Sequence, residues 1–287
     1  MRRSILSRTM NYAFWRSHTR AAARHIGEAV NGRSNSLLKS YCVPPEMIPL
    51  LSQYFLSITP AFLVWLVLLI ALPKQFVIPR VMLHIFFFIH ARDAITANGF
   101  WQITSGDLRF TAPVAVLLTL AAVSAILFMA VWRIEADARK GMRWLGESFW
   151  HSMLTGILGA ALVSVVAATL KNYFALTSTP APAVNDLLML LVFALVANTY
   201  EELLFRGLLQ NTLSKTISPA RAALISGFFF CFCHANLAMQ VGHASVSILL
   251  FTLIEGIAAA FVYNRAGLLG ATLTHGLAVF ALAAGIY

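Results

Sequence analysis

Several ionisable residues of this chain stand inside stretches that otherwise have the composition of membrane spans: Glu201, Glu202, Arg206, His234, Glu255 and His275. A charge at bilayer depth costs several kcal/mol, so such groups occur where they pair, meet water or do chemistry. Acids and imidazoles held away from bulk water can take and give protons, activate a water molecule, or relay a proton through a membrane. Residues four apart share a helix face, which lets Glu202 and Arg206 form an ion pair, while Glu201 is turned about 100° away and needs a partner from another helix. An imidazole suits that purpose. The plainer reading is structural: a Glu–Arg pair fastening helices, and histidines bonded to backbone carbonyls. Against it stands the concentration of these groups in the last 100 residues, since their desolvation is met most simply if they converge on one polar cavity.

The elements that must position them are helices. The chain has 287 residues, 59% hydrophobic and 11% charged, with a mean hydropathy of +0.77, a composition outside the soluble range. Runs of spanning length recur at 50–72, 111–132, 149–170, 184–213, 222–239, 245–263 and 268–287, each near the ~20 residues that cross a bilayer core. An eighth segment, Phe76 to Ile89, contains Pro79 and Arg80 and reads as re-entrant or interfacial. The expected fold is all-α: a polytopic membrane bundle of seven to eight transmembrane helices. With seven spans and a cytoplasmic N-terminus, the basic loop of Arg133, Arg139, Lys140 and Arg143 falls inside, with Lys215, Arg221 and Arg265, as the positive-inside rule asks.

The net charge of +10 is concentrated in the first 40 residues, where Arg2, Arg3, Arg8, Arg16, Arg20, Arg24, Arg33 and Lys39 face one acid, Glu28. That is a lipid-facing cytoplasmic tail or an organelle transit peptide, not a nucleic-acid surface. Residues 1–45 form this polar extension, 46–183 a set of membrane helices of unknown role, and 184–287 the part that carries the chemistry. Cys42, Cys231 and Cys233 make no disulfide framework and have the wrong spacing for a zinc knuckle. Turn signals at Thr179-Pro180-Ala181-Pro182, Ser218-Pro219 and Ala266-Gly267 separate the last helices. In an antiparallel pair with these boundaries, Glu201 and His234 differ in depth by about 10 Å, which points to shifted boundaries, a tilt, or a break near Gly227.

The motifs themselves are informative. Glu201-Glu202-Leu-Leu-Phe-Arg206-Gly207 resembles the EExxxR motif of the CPBP family, the intramembrane proteases that include CAAX-processing endopeptidases and bacteriocin-processing or immunity proteins. Phe230-Cys-Phe-Cys-His234 is similar to its FxxxH motif, and His275 to the histidine of its HxxxN motif, in the same order and with spacings of 33 and 41 residues. The resemblance covers Val184 to the C-terminus and implies a catalytic core in the last four helices. It implies Glu201, Glu202, Arg206, His234 and His275 as catalytic residues: Glu201 as general base, His234 positioning the water, His275 stabilising the oxyanion, and Glu202 with Arg206 holding the first helix in register. It implies no cofactor, with a zinc ion held by Glu201, His234 and His275 as the alternative. The expected partners are the bilayer and a membrane-anchored or lipidated protein substrate, with no nucleic acid, in a bacterial cytoplasmic membrane. One departure is Val279, where the family usually has Asn; Asn198 or Asn236 are candidates to replace the lost amide. Glu255 lies outside the motifs and is expected to pair with Arg221 or His243, or to line a substrate path. A non-catalytic immunity or binding protein and a proton-coupled transporter remain the other classes.

Overall fold

A computed structural model describes residues 47–104, 107–110, 112–174, 184–240 and 245–286; the basic extension, Cys42 and His243 lie outside them. Helices α1 (Met47–Ala71) and α2 (Val77–Ala97) lead into a short antiparallel hairpin, β1 (Trp101–Thr104) and β2 (Asp107–Phe110). There follow α3 (Val114–Ile134), α4 (Phe149–Tyr173) and α5 (Val184–Glu202). Helix α5 continues without a break into a π-helical segment, Leu203–Gln210, and a last turn, Asn211–Leu213. The chain closes with α6 (Pro219–Cys233), α7 (Ala235–Gln240) and α8 (Ser245–Ala284). The fold is that of an integral membrane protein: among the described residues, six helices are long and apolar enough to cross a bilayer.

The last of these is two helices. Unbroken, its 40 residues would run about 60 Å, twice the hydrocarbon thickness. Gly267 interrupts it at φ 69°, ψ −167°, a region open to glycine and costly for other residues. The chain folds back there, because Glu255 and His275, about 30 Å apart along a straight helix, stand 3.9 Å apart. The α3–α4 loop seals the turn, with the Arg143 and Trp144 carbonyls accepting from the Leu268 and Leu269 N–H groups at 2.8 and 3.0 Å. A Cβ on Gly267 would lie 2.7 Å from the Leu145 nitrogen.

Local signals set the helix starts. Ser148 caps α4 by accepting from the His151 N–H at 3.0 Å, and Ser218 caps α6 through the Arg221 N–H, with Pro219 in the first turn where no backbone bond is lost. Helix α6 begins earlier and ends sooner than its apolar run suggests. It passes Gly227 unbroken and stops at Cys233, so His234 is its C-cap. Gly227 is a packing site: a Cβ there would meet the Ile257 backbone at 2.9 Å, and one on Gly256 would meet the Gly227 carbonyl at 2.9 Å. This close crossing brings α6 and the first half of α8 together beside the π segment.

The segment at 76–89 belongs to a longer helix than its apolar run suggests, one that is not among the six apolar enough to cross a bilayer. Helix α2 has 21 residues, a rise of about 31 Å, and Pro79 interrupts nothing because it sits in the first turn. Its face carries Val81, Ile85 and Phe88 onto Tyr200, Leu204 and Phe205 of the α5 helix and its π segment. Arg80, which counted against a membrane helix, is buried against Glu135 at the end of α3 (Nη2–Oε1 2.7 Å) and donates to the Leu69 and Leu72 carbonyls. His84 Nε2 adds a 2.9 Å bond to the same carboxylate and takes the Trp65 indole N–H on Nδ1 at 3.2 Å.

That network ties the end of α1, the start of α2 and the end of α3 to the level of the basic loops. Lys140 holds the Asp137 carboxyl below the usual range, with Lys74 and Lys215 contributing. Arg143 reaches the Asn264 carbonyl and Asn264 the Pro219 carbonyl, both at 3.1 Å. The basic loops therefore share one end of the bundle. Tyr54, near the start of α1, packs instead on Phe100, beyond the far end of α2. Met47 and the basic loops therefore lie at opposite ends of the α1–α2 pair.

Glu135 lies just past its span. Burial pushes its carboxyl up, but the bonds from His84 and Arg80 outweigh that and hold it low. A carboxyl held low contributes stability above its unfolded pKa and loses it as pH falls through the folded value. In detergent, the thermal midpoint is expected to fall at pH values below the ordinary carboxylate range. Glu135→Gln should flatten that fall and cost about 3 kcal/mol at neutral pH by unpairing a buried arginine.

Candidate active site

One cavity of about 160 Å³ lies within the bundle, many times the 10–15 Å³ a water needs. Glu201, His234, His275, Glu255, Asn198 and Arg92 supply its polar groups, and Phe88, Leu127, Phe193 and Phe251 are among its apolar walls. No lining residue comes from the basic loops.

Glu201 is 4% exposed. Its Oε1 lies 3.9 Å from His234 Nε2 and 4.0 Å from Arg92 Nη1, its Oε2 4.0 Å from His275 Nε2. These gaps exceed a hydrogen bond and suit a bridging oxygen. Oε1 has no hydrogen-bond partner, as is also true of Glu202 Oε2 and Glu255 Oε1. The adjacent Glu202 is tied to its neighbours through its other oxygen. Its Oε1 accepts from Arg206 Nη1 and from His275 Nδ1, both at 2.8 Å. Arg206 donates from Nη2 to the Gly256 carbonyl at 2.9 Å and lies over the Phe230 ring at 4.5 Å. Phe230 in turn packs against His234 (centroids 4.4 Å apart) and edge-on to His275 (5.2 Å). The two adjacent acids thus face different partners.

The depth difference between Glu201 and His234 is closed by side-chain direction. Helical side chains lean toward the N-terminus of their own helix. In an antiparallel pair, Glu201 therefore leans away from the connecting turn and His234 back toward it. The His234 ring does lie back along α6, its Nδ1–H donating to the Phe230 carbonyl at 2.8 Å. A carbonyl only accepts and a guanidinium only donates. Hence Nδ1 carries the proton and Nε2 accepts from Arg92 Nη1 at 2.9 Å.

Sequence reading missed Arg92 and left Glu255 between a pair at a membrane face and a place along a substrate path. Arg92, at the far end of α2, is nearly buried and reaches His234. Glu255 lines the cavity, the second of those places: its Oε2 stands 3.9 Å from His275 Nε2, and its Oε1 has no partner among the described residues. Signals existed for both. Arg92 continues the helical stripe Val81, Ile85, Phe88, and a hairpin centred on the Ala266-Gly267 turn sets position 255 opposite 275. Of the candidates to replace the missing amide, Asn198 lines the cavity, whereas Asn236 is engaged with Asp93 Oδ2 at 2.7 Å. Val279 is in the wall.

A family model described as "Type II CAAX prenyl endopeptidase Rce1-like" matches residues 183–281. The match covers about a third of the chain and agrees with the CPBP resemblance of the three motifs. No curated protein and no solved structure matches the chain. The Rce1-like family is usually a protease, and the matched residues take in the α5 helix with its π segment, α6, α7 and nearly all of α8. Arg92 lies outside the matched residues.

Zinc does not fit the donors of this site. Zinc–ligand bonds are about 2.0–2.2 Å, but His234 Nε2 is already engaged by a guanidinium, which would stand beside the metal. Among the described residues no group of three His, Cys, Asp or Glu side chains is disposed to hold a metal ion. Purified protein is expected to carry zinc well below one equivalent and to keep its activity in a strong chelator. Stoichiometric zinc, with activity lost on chelation and restored by zinc, would contradict this reading.

Proposed function

We propose that the chain is an intramembrane endopeptidase that hydrolyses a peptide bond near the C-terminus or membrane anchor of a lipidated or membrane-anchored protein. The observation that carries this reading is that Glu201, 3.9 Å from His234 and 4.0 Å from His275, lines one cavity together with both histidines. Hydrolysis needs a base for the water, a held carbonyl and donors for the oxyanion. Glu201 takes the proton. Of Glu201 and His234, only the carboxylate has an acceptor atom without a partner, so His234 positions groups in the site and does not deprotonate the water. His275, anchored through Nδ1 on Glu202, turns Nε2 to the cavity and donates to the oxyanion as the imidazolium. Glu202 and Arg206 hold that histidine and the π segment in register.

Val279 favours a second reading, a non-catalytic immunity or binding protein of the same family. Comparison of terminal peptides from membranes of cells producing wild-type or Glu201→Gln protein separates the two. An enzyme leaves a precursor that keeps its terminal segment in the variant cells, and the precursor names the substrate. Identical peptide sets, with equal protein levels, would favour the binder.

A further inference from the structure

The cavity wall at Val279 is a methyl surface that offers no side-chain hydrogen-bond donor. An oxyanion formed there still needs more than one donor, because a fixed N–H is worth about 10²–10³ in rate. Arg92 brings guanidinium hydrogens to this point from a helix outside the matched domain. Its Nε and Nη2 donate to Asp93 Oδ1 at 3.2 and 2.9 Å, Nη2 also donates to the Cys233 carbonyl at 2.8 Å, and Nη1 donates to His234 Nε2 at 2.9 Å. Those bonds commit four of the five N–H groups of a guanidinium. The fifth is on Nη1, the nitrogen 4.0 Å from the unpartnered Oε1 of Glu201. Asp93, which holds the other edge of the fork, is itself held by Asn236. The group is anchored on three sides and has one hydrogen left beside the base.

We propose that Arg92 is a catalytic residue, supplying the oxyanion donor that Val279 lacks. The proposal rests on the hydrolytic reading above. Water oxygen bonds to the scissile carbonyl carbon as Glu201 accepts the water proton. The carbonyl π pair moves onto its oxygen, which takes the remaining Nη1–H of Arg92 and the Nε2–H of His275. The tetrahedral species then collapses, the C–N bond breaks, and the proton on Glu201 passes to the departing amine. Charge moves onto one oxygen and off again, and no redox partner is required.

The test uses full-length protein in liposomes and, as probe, the precursor that accumulates in membranes of Glu201→Gln cells. Arg92→Gln is expected to lower kcat by about 10²–10³ with KM changed less than threefold. Arg92→Gln combined with Val279→Asn, which puts an amide back at the wall, is expected to recover at least tenfold of that loss. Asn198→Ala should cost less than Arg92→Gln. Thermal midpoints measured alongside identify a variant that has lost its fold, and the double variant then decides. Arg92→Gln processing at the wild-type rate, an effect confined to KM, no recovery on adding Asn at 279, or a larger loss with Asn198→Ala would each overturn the assignment while leaving the protease reading intact. If Glu201→Gln cells accumulate no precursor, both fall together.

Discussion

Glu201→Gln is expected to cut hydrolysis by about a thousandfold, within the range a positioned general base contributes, and to leave the protein folded. The amide has the shape of the carboxylate but cannot accept a proton from water. The oxygen it modifies has no hydrogen-bond partner, and the nearest charged neighbours of the carboxylate stand 3.9–4.0 Å away. A neutral amide is also cheaper to bury than a carboxylate. The thermal midpoint in detergent should therefore be unchanged or higher. Loss of activity together with a large loss of stability would mean that Glu201 fastens helices and does no chemistry.

Arg206→Ala should do the opposite and unfold the site. Arg206 is 0% exposed, as is Glu202, and it joins the Glu202 carboxylate, the Gly256 carbonyl and the Phe230 ring. Removing one member of a buried ion pair leaves the other charge uncompensated, at a cost of about 3–5 kcal/mol. Here the stranded carboxylate also anchors His275, so geometry at the cavity is lost with stability. Replacing both members, Glu202→Gln with Arg206→Met, is expected to cost less stability than Arg206→Ala alone, because no unpaired charge remains. Activity should stay low in both. Thermal midpoints of the two proteins, measured in one detergent, check the order; equal or additive losses would contradict the pairing.

The parts of this site that local sequence determines were legible. Glu202 and Arg206 pair through helical periodicity, the Ser218-Pro219 start of α6 follows from capping chemistry, and the fold-back at Gly267 coincides with the Ala266-Gly267 turn signal. What was not legible depends on which faces meet. Glu255 could be placed only once the two halves of α8 were known to pack antiparallel. Arg92 was lost because Pro79 and Arg80 suggested a short segment. The proline lies in the first turn, and the arginine is neutralised by Glu135, 55 residues away in sequence. The π segment after Glu202 has no signature in the residues themselves; its wider turn carries Arg206 and Gln210 into contact with the Gly256 and Ala260 carbonyls. The apparent depth conflict between Glu201 and His234 came from comparing backbone positions, whereas the side chains lean toward each other.

The central claim is that water held at Glu201 cleaves a peptide bond inside this bundle. It is tested most directly by incubating the isolated precursor with purified wild-type or Glu201→Gln protein in liposomes made up in ¹⁸O-labelled water, followed by mass spectrometry of the products. One solvent ¹⁸O in the new C-terminal carboxyl with the wild-type protein, and no product with the variant, is the predicted result. Processing at equal rates by both proteins would contradict the account.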